Sequence, residues 1–439
     1  MDYFRAACFY QIYPLGLLGA ELDNNFDLPP VSRLTRLHEW LPHLRRLGVN
    51  ALYLCPVFES SRHGYDTRDY MKVDRRLGTN QELAAFIASC HENGIRVVLD
   101  GVFNHVGRDF WAFHDVRVNR ENSDYADWFH IDFSGNSNYN DGFWYEGWEG
   151  HFDLVKLNLH NPAVKNHLFD AVGMWIDNLG IDGLRLDVAY LLSKDFLSEL
   201  CAYCRNKKSD FWFVGEVLHG DYRLFMDNGL LNSVTNYECY KGLFSSFNAV
   251  NLFEIAYALN RQFGNDPWTL YKDRPLFNFV DNHDVNRIAS LLNEPRHLPL
   301  IYALLFTMPG IPCVYYGSEW GTQGYKFNGD EHLRPQIDLP MWNELSDLIS
   351  LLAKIRSENR CLTTGGYEQL HLTNAQIIFE RSIDSERVIV ALNIAPEDHI
   401  AHFNANAGQG FDALTGERVD FGGGLCIKAY SAMIICNLG

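Results

Sequence analysis

Short apolar runs alternate with longer stretches of helical period over most of this chain. The runs FYQIYP, NALYLCP, IRVVLD, IDGLRLD, FWFVGE, PLFNFVD and IPCVYYG have the length and the β-branched or aromatic content of buried strands, and a weaker run spans 231–237. Helical patterns fall between them near residues 33–47, 81–92, 162–179 and 193–205, with a last one near 342–356. Strands separated by helices imply βα units, because a parallel partner can be reached only through a crossover. Eight strands in this rhythm predict an α/β fold, a (β/α)8 TIM barrel.

The spacing of strand ends adds an insertion to that barrel. The runs end at Asp100, Asp187, Glu216 and Asp281. One unit's length separates Asp187 from Glu216, and two separate Glu216 from Asp281. The interval from Asp100 to Asp187 is about fifty residues longer than one unit of roughly 30 residues requires. The surplus, 105–160, is rich in Trp, Phe, Tyr, Asp, Asn and Gly without a long period, so it reads as a loop-rich subdomain over the barrel mouth. Past the last helix the pattern changes to QIIFERSI, RVIVALNI and CIKAYSAMIIC with Gly-rich turns, the signature of antiparallel strands. The expected domains are a barrel from 1–104 and 161–359, an insertion subdomain from 105–160, and a small C-terminal antiparallel β-sandwich from 360–439.

Composition narrows the partners. The formal net charge is -18, and a field of that sign repels phosphate backbones and anionic lipid, so neither nucleic acid nor a membrane is expected as a partner. The most apolar window, 298–317, contains Pro299, Pro309 and Pro312 and reads as a buried helix followed by a buried strand. The N-terminal residues MDYFRAACFYQIYP show no secretion leader, and ten cysteines without one suggest reduced thiols in a cytoplasmic protein. The Cys201/Cys204 spacing stands alone in a helical stretch, so core packing is its default reading.

In a parallel barrel, catalytic groups gather at the carboxyl ends of the strands. Asp100, Asp187, Glu216, Asp281 and Asp284 all stand at or just past such ends. One Asp there is ordinarily a cap or a turn residue, but five around one barrel point to a shared cavity. Clustered carboxyls suit glycosidic cleavage, where one carboxylate attacks carbon and another acid protonates the departing oxygen. Arg185, two residues before Asp187 on the same face of a strand, is expected to keep that aspartate ionised, while the apolar frame FVGEVL is expected to favour a protonated Glu216.

At these residues the sequence resembles the α-amylase family of glycoside hydrolases. The motifs run in the family's order: Gly48 to Pro56 on the second strand, Asp100-Gly-Val-Phe-Asn104-His105, Gly183-Leu-Arg185-Leu-Asp187, Gly215-Glu216, Phe279-Val-Asp281-Asn282-His283-Asp284, and Gly310 to Glu319 on the eighth. The resemblance implies catalytic roles for three residues: Asp187 as nucleophile, Glu216 as general acid/base and Asp284 as transition-state stabiliser. It implies sugar binding by Tyr65 in His63-Gly-Tyr65-Asp66, by His105, Arg185 and His283, and by the pair Asp330 and Arg334 on the non-reducing side. No cofactor is required for the chemistry. A structural calcium ion is raised by the resemblance, with Asn104 in the position of one ligand and the remaining ligands unidentified.

Within the family, Val155-Lys156-Leu157-Asn158 resembles the cyclomaltodextrinase, neopullulanase and maltogenic amylase branch, although the N-terminal β domain of those enzymes is absent here. Val188-Ala189-Tyr190 stands where endo-acting relatives carry a lysine and a histidine that hold leaving-side sugars. The implied activity is retaining cleavage of α-1,4 bonds in maltooligosaccharides, cyclodextrins or related α-glucans. A 4-α-glucanotransferase, a disaccharide-isomerising relative and a non-catalytic binding subunit remain as alternatives, and the oligomeric state is open.

Overall fold

A computed structural model describes residues 3–439 of the chain. Eight parallel strands form its centre: β1 (Phe9–Ile12), β2 (Ala51–Leu54), β3 (Arg96–Gly101), β4 (Gly183–Leu186), β5 (Trp212–Gly215), β6 (Ser233–Val234), β7 (Phe277–Phe279) and β8 (Ile311–Tyr315). Their hydrogen-bonded order is β6-β5-β4-β3-β2-β1-β8-β7, and a parallel bridge from Thr235 to Phe277 joins the two ends. The sheet thus closes into the expected barrel. Nearly every barrel-strand residue is buried, which is why these segments read as continuous apolar runs rather than alternating ones.

The helices follow the expected periodicity with local adjustments. The segment expected as one helix near 33–47 divides into a 3-10 turn, Leu34–Trp40, and an α-helix, Leu41–Leu47, because Pro42 fits only the first turn of a helix. The helix Pro162–Met174 starts at Asn161, whose side chain accepts from the Ala163 N–H at 2.8 Å, and runs on as a π-turn at Trp175–Leu179. The apolar window resolves into a helix, His297–Thr307, and then β8; no helix among the described residues is long and apolar enough to cross a membrane. Cys201 and Cys204 lie buried in the helix Lys194–Lys207, where burial pushes the Cys201 thiol up to about 11.

Between β3 and β4 the chain leaves the barrel and builds short elements over its mouth. His105–Gly107, His151–Lys156 and Gly147–Trp148 make a small antiparallel sheet, packed beside the helix Trp111–Asn119. At the other end of the chain, strands β9 (Gly366–Leu372), β10 (Gln376–Ile383), β11 (Glu386–Asn393), β12 (His399–Ala401), β13 (Gln409–Asp412), β14 (Arg418–Asp420), β15 (Leu425–Ile427) and β16 (Ser431–Cys436) form an antiparallel sheet in the order β9-β10-β11-β16-β13-β14, with β12 paired to β15. One face of that sheet belongs to the same hydrophobic cluster as the barrel, through Tyr367, Phe379, Val390 and Leu392; a second small cluster including Ile378, Ile389 and Ile435 fills its other side. Two buried arginines tie the layers together. Arg356 donates to the carbonyl oxygens of Phe306 at 3.1 Å and Gly310 at 2.6 Å, and Arg381 of β10 donates to that of Thr307 at 2.7 Å.

Candidate active site

The ladder of the parallel sheet continues one residue past the strands and so fixes the first two carboxylates. The Asp187 N–H donates to the Gly101 carbonyl at 3.1 Å, and the Glu216 N–H donates to that of Leu186 at 2.9 Å. On β4, Arg185 lies directly opposite Asp100 of β3. Its guanidinium meets three buried carboxylates: Asp100 at 3.0 Å and Asp187 at 2.8 Å through Nη1, and Glu216 at 2.9 Å through Nη2. Asp100 also accepts from the Tyr53 hydroxyl at 2.7 Å and the Tyr65 hydroxyl at 3.0 Å, so its oxygens are fully engaged in holding neighbours.

Three negative groups around one positive group leave the cluster short of compensation. Burial pushes the Asp187 carboxyl upward, Glu216 and Asp100 push it the same way, and Arg185 opposes them. Arg185 does favour the ionised form, but its guanidinium is divided among three partners and burial with the neighbouring carboxylates outweighs it, so the Asp187 carboxyl is raised well above its usual range, against the expectation that Arg185 keeps it ionised. Apart from its apolar neighbours in the chain, the Glu216 carboxylate faces Arg185 and accepts the Val188 N–H at 2.9 Å. Val188 makes that bond from a left-handed backbone, φ 39°, which is unusual for a β-branched residue and costs about 1–3 kcal/mol. The chain bears this strain where it turns an N–H toward the candidate acid.

The third carboxylate is held quite differently. Asp284 pairs with His283 at 2.9 Å and with Arg334 at 2.9 Å, and its N–H donates to the Asn282 side chain at 2.8 Å. Burial pushes its carboxyl upward, yet His283, Arg334 and Arg185 together outweigh burial and hold it far below the ordinary carboxylate range. The partner moves the other way: burial disfavours the His283 imidazolium, but Asp284, with help from the Cys55 sulfur, raises its pKa to about 10. The Gln11 side-chain amide nitrogen lies 2.8 Å from His283 Nδ1 and donates to the Cys55 sulfur at 3.2 Å. Tyr65 stacks on the His283 ring, centroids 5.5 Å apart, and its hydroxyl touches Nε2.

His105 is the opposite case. Burial lowers its pKa to about 3, with His63 adding to the effect. Its Nε2 lies 3.8 Å from Asp187, too far for a hydrogen bond, and has no partner. A buried neutral imidazole with a free nitrogen beside Asp187 is poised for a ligand hydroxyl.

The structure gathers nearly all the sequence-derived candidates around one cavity of about 430 Å³. Tyr65, His105, Asp187, Glu216, Asp284, Asp330 and Arg334 line it, while Arg185 and His283 sit immediately behind. Arg334 reaches Asp330 at 3.1 Å as well as Asp284, so Asp330 joins the site through that guanidinium. Asp281 does not belong: it accepts from the Ser318 hydroxyl at 2.8 Å and the Ile288 N–H at 2.9 Å, and serves the turn after β7. Trp148 and Tyr190 also line the cavity, and the Tyr190 hydroxyl donates to Glu149 of the insertion at 3.2 Å. Sequence reasoning passed over Gln11 and Tyr53 as core strand positions; a lone amide in the run FYQIYP was the available signal for the first.

Asn104, the residue in the position of one calcium ligand, has its backbone carbonyl accepting the Leu157 N–H at 2.9 Å and its side-chain amide nitrogen 3.1 Å from His105 Nδ1.

A closed (β/α)8 barrel bearing three carboxylates and a shared guanidinium at the carboxyl ends of its strands has the architecture of a glycoside hydrolase. The family description "Alpha amylase, catalytic domain" matches residues 33–363, and the chain belongs to that family of hydrolases. It is 31% identical over 414 residues to a cyclomaltodextrinase from Bacillus sp, covering 89% of this chain and 73% of that protein. It is 33% identical over 391 residues to a maltogenic alpha-amylase from Bacillus acidopullulyticus, covering 83% of this chain and 64% of the relative. Among solved structures it resembles the cyclic alpha-maltosyl-(1-->6)-maltose hydrolase from Arthrobacter globiformis in complex with cyclic alpha-maltosyl-(1-->6)-maltose, at a TM-score of 0.84 and 28% identity, covering 99% of each chain.

Proposed function

We propose that this chain is a retaining α-glycosidase that cleaves α-1,4 bonds of maltooligosaccharides, cyclodextrins or related α-glucans through a covalent glycosyl-enzyme. The observation that carries the reading is the grip of one guanidinium on both Asp187 and Glu216. Carboxylates held by a single side chain share one site, as the roughly 5 Å separation that double displacement needs requires.

In this reading Asp187 attacks the anomeric carbon while Glu216 donates a proton to the bridging oxygen. Water deprotonated by Glu216 then releases the sugar with its configuration retained. Asp284, kept anionic, stabilises the cation-like transition state, and His105 offers its free Nε2 to a hydroxyl of the same sugar. The substrate class is supported by the names of the relatives, a cyclomaltodextrinase and a maltogenic amylase, of whose length this chain spans 73% and 64%. An intracellular setting is part of the proposal, supported by ten free cysteines, nine of them buried, and by a Bacillus subtilis relative named intracellular maltogenic amylase.

The test is incubation with maltotriose, maltoheptaose, β-cyclodextrin and pullulan, with products separated by chromatography and their anomeric form read by proton NMR as they appear. Short α-anomeric products support the proposal; β-anomers reject retention. Chains longer than the starting sugar would identify a glucanotransferase using the same residues.

A further inference from the structure

The active-site cavity is the middle one of three. On one side it shares His63, Asp330 and Arg334 with a cavity of about 400 Å³. On the other it shares Leu218 and Tyr237 with the largest cavity described, about 680 Å³, bounded by the loop after β5 and the helices Tyr237–Asn248 and Phe253–Phe263. That volume lies within the roughly 300–1,000 Å³ of small-molecule sites. None of the candidate catalytic residues lines it, so the chemistry described above leaves it without a role.

Its walls define the kind of ligand. Acids and bases face it in matched pairs: Asp221 with Arg223 at 2.7 Å, Glu238 with Arg261 at 2.6 Å, and Glu254 with Lys241 at 2.8 Å. Charges already paired attract neither an anion nor a cation, yet they present a dense, fixed set of donors and acceptors. Among them stands Tyr257, 63% exposed, a flat apolar face in a polar chamber. An uncharged, polyhydroxylated ring with one apolar face fits this description, and a pyranose is such a ring.

Position relative to the acid gives the direction. Glu216 protonates the bridging oxygen, so the departing half of the substrate lies on its side of the bond. Leu218, two residues further along the same loop, forms the partition that both cavities share, while Asp284, Arg334 and Asp330 close the active cavity toward the opposite chamber. We infer that the chamber behind Leu218 receives the leaving-side portion of the α-glucan, with distal glucose units stacked on Tyr257 and hydrogen-bonded to the Lys241–Glu254 wall. The inference rests on the glycosidase reading above and extends it to the length of substrate recognised beyond the scissile bond.

Two substrates separate the chamber from the catalytic centre. A chromogenic α-maltoside, whose leaving group is one nitrophenyl ring, does not reach past Leu218, whereas maltoheptaose does. Tyr257→Ala and Lys241→Ala alter side chains on exposed helix faces, so folding is not at stake. Each should lower the ratio of kcat/KM for maltoheptaose to that for the maltoside by about fivefold or more, through KM. In an Asp187→Asn background, each should weaken maltoheptaose binding by about the same factor in calorimetry. A smaller change in both variants overturns the inference. Failure of the underlying reading looks different: the unaltered protein would cleave neither substrate, and the inference would fall with it.

Discussion

Arg185 and Glu216 stand on neighbouring strands and meet at 2.9 Å, while the same guanidinium holds Asp187 at 2.8 Å and Asp100 at 3.0 Å. This arrangement sets stability against chemistry. Removing the cation leaves three buried carboxylates uncompensated, and breaking a buried pair in this way costs about 3–5 kcal/mol. Arg185→Ala should lose that much in urea unfolding, whereas Asp187→Asn, which removes one of the competing negative charges, should be at least as stable as the unaltered protein. Equal melting of the two variants would contradict the shared-guanidinium account.

The same Asp187→Asn protein should be nearly inert. Loss of the proposed nucleophile is expected to lower maltooligosaccharide cleavage by on the order of four powers of ten, about 5 kcal/mol in the barrier, with an unchanged circular dichroism spectrum. Near-normal turnover would assign the nucleophile elsewhere.

The two histidines predict opposite pH behaviour. His283 holds its proton more tightly in the folded chain than in the unfolded one, so its contribution is complete below its ordinary value of 6.5 and disappears as pH climbs through about 10. Asp284, held low, contributes above the ordinary 3.8 and loses that contribution only as pH falls toward its depressed folded value. His105 behaves otherwise: below 6.5 the unfolded chain gains a proton that the folded chain refuses until about 3, so stability falls across that window. Unfolding free energies by pH should show His105→Gln flattening the acid limb between 6.5 and 3 by up to ~1.4 kcal/mol per unit, and His283→Gln removing a decline that runs from 6.5 to about 10. Parallel profiles for either variant would reject its assignment.

Asp281 should matter to folding and not to turnover. It accepts from Ser318 and from the Ile288 N–H, so Asp281→Ala leaves those donors without partners and should cost about 1–3 kcal/mol. Activity well below the melting temperature should stay within about tenfold. A loss approaching that of Asp187→Asn would return Asp281 to the site.

The barrel was legible because its strands are buried on both faces and their apolar runs stop at the charged residues of the mouth. The two-residue strand β6 gave the weakest signal: only Ser233–Val234 carries the ladder. The carboxylates could be named from sequence, but the sharing of one cation could not, since Arg185 meets Asp100 and Glu216 only once three strands lie side by side. The contacts of Glu216 were hidden for a related reason: valines beside it in the chain say nothing of the Val188 N–H that reaches it from another strand end. Trp148 and Tyr190 entered the site because the insertion folds back over the mouth, an approach that no periodicity encodes.

The guanidiniums of Arg356 and Arg381 finish the helix that leads into β8, taking up carbonyls that the helix His297–Thr307 cannot satisfy itself. One of those arginines is lent by the C-terminal sheet, so a helix of the barrel is completed by a hydrogen bond that arrives only after the barrel's own residues have been made. The sheet is a closing piece and not an appendage: heating should melt the two layers in one calorimetric step, and a chain stopped before β10 would expose the rim that carries β8 into the catalytic mouth.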